Sequence, residues 1–117
     1  MKIQLNSDAS IHGNEALSAH LSTSLEGALE RFKEEITRVD VHLSDRRGGK
    51  DGPHYQRCML EASLEGRQPV AVMDHAPTME QAIQGAAQKL ARMLGSRIGR
   101  KRERDKASDL PSFGVEP

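Results

Sequence analysis

The sequence contains no tryptophan, one tyrosine, two phenylalanines and a single cysteine. Each scarcity excludes something. One thiol, Cys58, forms no internal disulfide, which suits a reducing, cytoplasmic compartment. With Phe32, Tyr55 and Phe113 as the only aromatics, the core must be packed from Leu, Ile, Val, Met and Ala. The strands also lack a row of aromatic rings on which unpaired bases would stack, because Tyr55 is the only one they offer. No apolar run approaches the roughly 18 residues of a membrane span, and Met1–Asn6 has none of the apolar stretch of a secretory signal. The five histidines, His12, His20, His42, His54 and His75, make no tight ligand spacing with Cys58, and no H-E-x-x-H is present. Neither a metal nor a cofactor is expected. Asp74-His75 resembles a base with its orienter, but no nucleophile motif accompanies it, and neighbours on a strand point oppositely. The chain is therefore read as a non-enzyme with no catalytic residue.

Net charge is missing too, with 17 Lys and Arg against 17 Asp and Glu in 117 residues. The average conceals a segregation. Residues 1–88 carry 9 basic and 13 acidic side chains, whereas residues 89–106 carry 8 basic ones against Glu103 and Asp105 alone. A block of one sign is the electrostatic footprint expected of a surface that meets a polyanion.

What is present reads as one domain over residues 1–105, followed by a tail at 106–117 that is expected to be mobile. Ile3 and Leu5 alternate with polar residues, predicting a strand near 2–6. After turn chemistry at Asn6-Ser7-Asp8, Asn14 is placed to cap a helix. Leu17, Leu21, Leu25, Ala28, Leu29, Phe32 and Ile36 recur at spacings of three and four, one apolar stripe on a helix of about 22 residues. Gly27 within it suggests close packing on a sheet. Val39, Val41 and Leu43 predict a second strand, Cys58, Leu60, Ala62 and Leu64 a third, and Val70 and Val72 a fourth. A glycine-rich loop at 45–54 carries Arg46, Arg47 and Lys50, and Glu65-Gly66-Arg67 makes a turn. Thr78 and Gln81 form a capping-box pattern ahead of a second helix. Its stripe is Met79, Ile83, Ala86, Leu90 and Leu94, and Gly95 and Gly99 weaken its second half. The order β-α-β-β-β-α predicts an α+β two-layer sandwich, a four-stranded sheet with both helices on one face.

The second helix carries the functional signal. At about 100° per residue, Lys89, Arg92 and Arg100 fall within an arc of roughly 80°, beside the apolar stripe rather than opposite it. Arg97 and Arg104 border that side, and Lys101 and Arg102 widen the patch. These seven residues are the candidate RNA-binding set. Cations at a helix C-terminus also favour its dipole without any ligand. The first helix is acidic, with Glu26, Glu30, Glu34 and Glu35 outnumbering Arg31 and Lys33. Few strand aromatics and many cations favour shape and phosphate contacts to structured RNA over base stacking.

With these residues in view, the chain resembles the ribosome hibernation promoting factor and ribosome-associated inhibitor family, also called sigma-54 modulation proteins. The likeness rests on the order of elements, on Asn14-Glu15-Ala16-Leu17, and on Met79, Ala82-Ile83, Lys89-Leu90-Ala91-Arg92 and Leu94. It implies a fold shaped like double-stranded-RNA-binding domains, docked on the small ribosomal subunit in the mRNA and tRNA channel to hold ribosomes idle. It also implies rRNA contacts through basic residues of both helices. Lys89, Arg92, Arg100 and Arg102 fall on basic positions of the family, with Arg97 close to another. The sequence departs at Thr78 and Gln84, where the family carries acidic residues, at Glu80 in place of an aromatic, and in a first helix short of lysine. The dimerisation domain of the long forms is not in the sequence, so a monomer is expected. The other reading is a protein-interaction regulator on the same fold, acting through the acidic helix or the tail without RNA.

Overall fold

The structure, a computed structural model, describes the backbone of residues 1–7, 15–47 and 54–109, and the side chains of residues 1–6, 15–45 and 55–98. The expected cap at Asn14, the loop residue Lys50 and the tail from residue 110 lie outside the described residues. So do the side chains of Arg46, Arg47, Arg100, Lys101, Arg102 and Arg104.

The elements run β1 (Lys2–Ser7), α1 (Glu15–Ala28), a 3-10 turn (Glu30–Phe32), β2 (Ile36–Arg47), β3 (His54–Leu64), β4 (Val70–Ala76) and α2 (Met79–Asp109). The sheet order is β1-β2-β3-β4. The β1 and β2 strands pair in parallel, with Ile3 against Val39 and Leu5 against Val41, which α1 makes possible as the crossover. The remaining pairs are antiparallel, with Val41 against Leu60 and Leu60 against Val72. Gly66, at φ 70°, turns β3 into β4 in a left-handed conformation that suits glycine.

Alternation decides which face is buried. Val39, Val41, Leu43, Cys58, Leu60, Ala62, Leu64, Val70 and Val72 point to one side. There they form a single core with Leu17, Leu21 and Leu25 of α1 and with Ile83, Leu90, Leu94 and Ile98 of α2. Both helices thus cover one face, and α2 lies over β3 and β4 while packing along α1. β1 is the far edge, so Ile3 is only partly buried and Leu5 stays 39% exposed.

Two expectations are corrected. The first helix ends at Ala28 rather than running through Ile36. A tighter turn follows, with Phe32 N–H donating to Leu29 O at 2.9 Å and Glu35 N–H to Phe32 O at 2.9 Å. Leu29 and Phe32 stay in the core through this turn, and Ile36 is buried as the first residue of β2. A stripe spaced at three and four cannot distinguish a helix from a helix plus a 3-10 turn. Gly27 is the second correction. It is exposed, and a Cβ there would meet nothing within 4 Å, so it serves no close packing. The strands are also longer than their apolar cores suggested, and α2 continues as helix through Gly95 and Gly99 to Asp109. Its start is as expected: Gln81 N–H donates to Thr78 Oγ1 at 3.2 Å.

Leu90 is fully buried at the centre of α2. Leu90→Ala should destabilise the fold by about 2–5 kcal/mol, read as a lower urea midpoint with an unchanged m-value. A loss under about 0.5 kcal/mol would contradict this packing.

A candidate nucleic-acid interface

α2 runs back along β4, one of the two edge strands of the sheet. Three of its cations meet that edge in descending order. Lys89 Nζ donates to Met73 O and to Asp74 Oδ1, each at 3.1 Å. Arg92 lines a shallow groove with Ala71, Val72, Met73, Lys89 and Met93, of about 350 Å³. Arg97 Nη1 donates to Gln68 O at 3.5 Å, a long contact. The helical spacing that set these residues beside the apolar stripe is what brings them to the strand edge.

They are not equivalent there. Lys89 holds α2 to the end of β4 and is half-buried against Asp74. Its charge is partly spent inside the molecule. Arg92 is exposed, and among the described residues it has no carboxylate partner. Arg97 is partly buried over the β3–β4 turn. Arg92 is thus the most available cation of the described three. Arg100, Lys101, Arg102 and Arg104 belong to α2, and their side chains lie outside the described residues.

Asp74 was visible in the sequence only beside His75, and its real partner is fifteen residues away. Asp74 points to the helix side of the sheet, where α2 passes so close that a Cβ at Gly85 would collide with its carboxylate. Gly85 is therefore the glycine that permits close helix–sheet approach. Cys58 sits opposite Asp74 in the β3–β4 ladder and is fully buried. Burial, then the Asp74 carboxylate, pushes its thiol from 9.0 up to about 12. It packs as an apolar group, as its phase with Leu60 implied.

The acidic surface is separate. Lys33 pairs with Glu30 at 3.7 Å, both well exposed, beside Met1 and Glu26. Arg38 is bonded to Asp40 at 3.0 Å on the helix-free face of the sheet. Arg31 stacks over its neighbour Phe32, 4.8 Å from the ring centroid. The Arg31 guanidinium lies against α2 at Gly95, where an added Cβ would sit 3.4 Å from it. Among the described residues no cluster of three or more His, Cys, Asp or Glu could hold a metal, and no helix is long and apolar enough to cross a membrane.

A four-stranded mixed sheet with two helices on one face defines a two-layer α+β domain of the kind anticipated. The family described as sigma-54 modulation protein / S30EA ribosomal protein matches residues 6–102, and this chain belongs to it. Among solved structures, the fold is similar to a ribosomal subunit interface protein from Coxiella burnetii, with a TM-score of 0.69 at 15% identity over 85% of this chain and 99% of that one. It is also similar to the N-terminal domain of Protein Y from Thermus thermophilus, with a TM-score of 0.63 at 20% identity over 80% of this chain and 96% of that one. No curated protein sequence matches.

Two outcomes are expected. Lys89→Met should cost about 1 kcal/mol of stability through the lost bonds to Asp74 and Met73, whereas Arg92→Glu should leave the thermal midpoint nearly unchanged. Equal midpoints for the two variants would remove the distinction. A thiol-specific disulfide reagent at pH 8 should leave native Cys58 unmodified and titrate it after denaturation. The folded thiol holds its proton more tightly than the unfolded one. Stability should therefore be level below about pH 9 and fall as pH rises toward 12.

Proposed function

We propose that this protein is a ribosome-associated inhibitor of translation. In this reading it binds small-subunit rRNA in the mRNA and tRNA channel and holds idle ribosomes under stress. It acts by occupancy and not by catalysis, as a cytoplasmic monomer. The family supports ribosome association. The observation that carries the RNA contact is the row of cations where α2 meets the free edge of β4, with Arg92 exposed beside the groove.

The chemistry is that of a polyelectrolyte. Each phosphate met by a Lys or Arg releases condensed counterion, so affinity is entropic in origin and sensitive to salt. Arg92, Arg97, Arg100, Lys101, Arg102 and Arg104 supply the contacts in this reading. Lys89 contributes less, because Asp74 already neutralises part of its charge. Arginine suits the task because its planar fork engages two phosphate oxygens at once. Glu26 and Glu30 are not among the residues lining the groove beside Arg92.

Purified chain and small ribosomal subunits, titrated across a salt series, test this. With about four to six phosphate contacts the log–log slope should be on the order of −3 to −5. Arg92→Glu with Arg100→Glu should abolish binding with little change in folding. A flat salt dependence, or wild-type affinity in that double variant, would leave the shoulder a solvated helix face. Sucrose-gradient fractionation of stationary-phase cells separates the protein-interaction reading, in which the chain stays at the top of the gradient.

A further inference from the structure

The helix-free face of the sheet is unevenly charged. At one end, Asp40 and Glu61 stand opposite each other in the β2–β3 ladder, with Arg38 bonded to Asp40. Toward the other end the outward residues are His42 and Ser44 on β2, Tyr55, Arg57 and Met59 on β3, and Met73 and His75 on β4. Among the described residues that end carries no carboxylate. Arg57 has no ion-pair partner there either.

The register brings two rings together that the sequence keeps twenty residues apart. Tyr55 and His75 contact each other with centroids 5.2 Å apart and planes tilted by 56°. His75 is exposed and Tyr55 partly so. Arg57 is the direct ladder partner of His75. Two strand positions from His75, about 6.6 Å along β4, Met73 is 45% exposed. Met73 also lines the groove at the β4 edge with Met93, 43% exposed, and with Arg92. One surface therefore runs from the Tyr55–His75 pair, over Met73, to the cation of α2.

We infer that this face is a platform for unpaired nucleotides of RNA, with bases stacked on Tyr55 and His75 and over Met73, and with the backbone held by Arg57 and Arg92. The inference rests on the RNA-binding reading above and names a second kind of contact within it. The chemistry fits one occupant. Tyr, His and Arg planes all accept a stacked base, and the methionine thioethers offer polarisable apolar surface between them. An anionic strand follows the end of the face that lacks carboxylates and avoids Asp40 and Glu61. The platform is sequence-tolerant, because every base has a π face.

Tyr55 is the only tyrosine, and there is no tryptophan, so its emission reports this site alone. The full chain is titrated with an unpaired adenine octanucleotide and, separately, with an RNA duplex of eight base pairs. The octanucleotide should quench Tyr55 and bind, and the duplex should leave the emission unchanged. Tyr55→Leu should weaken octanucleotide binding about 5- to 100-fold. Tyr55→Phe should retain it, and both variants should keep a steep salt dependence on small subunits, which the α2 cations dominate. Octanucleotide binding without quenching, with Tyr55→Leu at wild-type affinity, overturns the platform and leaves the phosphate reading standing. Subunit binding that falls in Tyr55→Leu while the octanucleotide does not bind at all overturns it in favour of a protein contact. Failure to bind either subunits or octanucleotide sinks the underlying reading as well.

Discussion

The structure depends on how closely α2 lies against β3 and β4. Ile83, Leu90, Leu94 and Ile98 bury one stripe of the helix in the core. Gly85 lets its backbone pass the Asp74 carboxylate, and Lys89 reaches back to Asp74 and Met73. Burial of apolar surface supplies the main driving force, and the half-exposed Lys89 contacts add about 1 kcal/mol. Its effect is geometric, because it fixes the helix against one end of the free strand edge. With that alignment set, helical geometry carries Arg92 and Arg97 along the same strand edge.

The same alignment bears on how the charges of a chain without net charge are distributed. The excess of Asp and Glu lies on the first 88 residues, while 8 of the 17 Lys and Arg crowd into residues 89–106 of α2. The fold keeps the two apart: the acidic surface of Glu26 and Glu30 belongs to the α1 region, and the Arg92 groove lies at the β4 edge. At the start of α2, Thr78 caps the helix with a hydroxyl.

The open face of the sheet shows a related economy. A sheet covered by helices on one side leaves the other to solvent, and its outward residues are free of packing constraints. Here those residues are sorted, with acids at one end and the Tyr55–His75 pair with Arg57 at the other. The acidic end neutralises itself through Arg38 and Asp40, which is only 9% exposed. Opposite charges drawn together at one end leave the other end cationic.

The sequence by itself determined the element order, the buried residues and the side of α2 that carries charge. Those follow from periodicity, which is local: Leu17, Leu21, Leu25, Ile83 and Leu90 mark their faces whatever they pack against. It also fixed the Thr78 cap, since that bond spans three residues. It could not end α1 at Ala28, because Leu29, Phe32 and Ile36 satisfy a helical stripe and a 3-10 turn equally well. Tertiary structure alone decided which partners meet. Asp74 pairs with Lys89, Gly85 and not Gly27 is the close approach, Arg38 turns to Asp40, and Tyr55 meets His75. All but the Arg38–Asp40 bond, which lies along one face of β2, join residues of different elements, and that geometry exists only once strand register and helix placement are set.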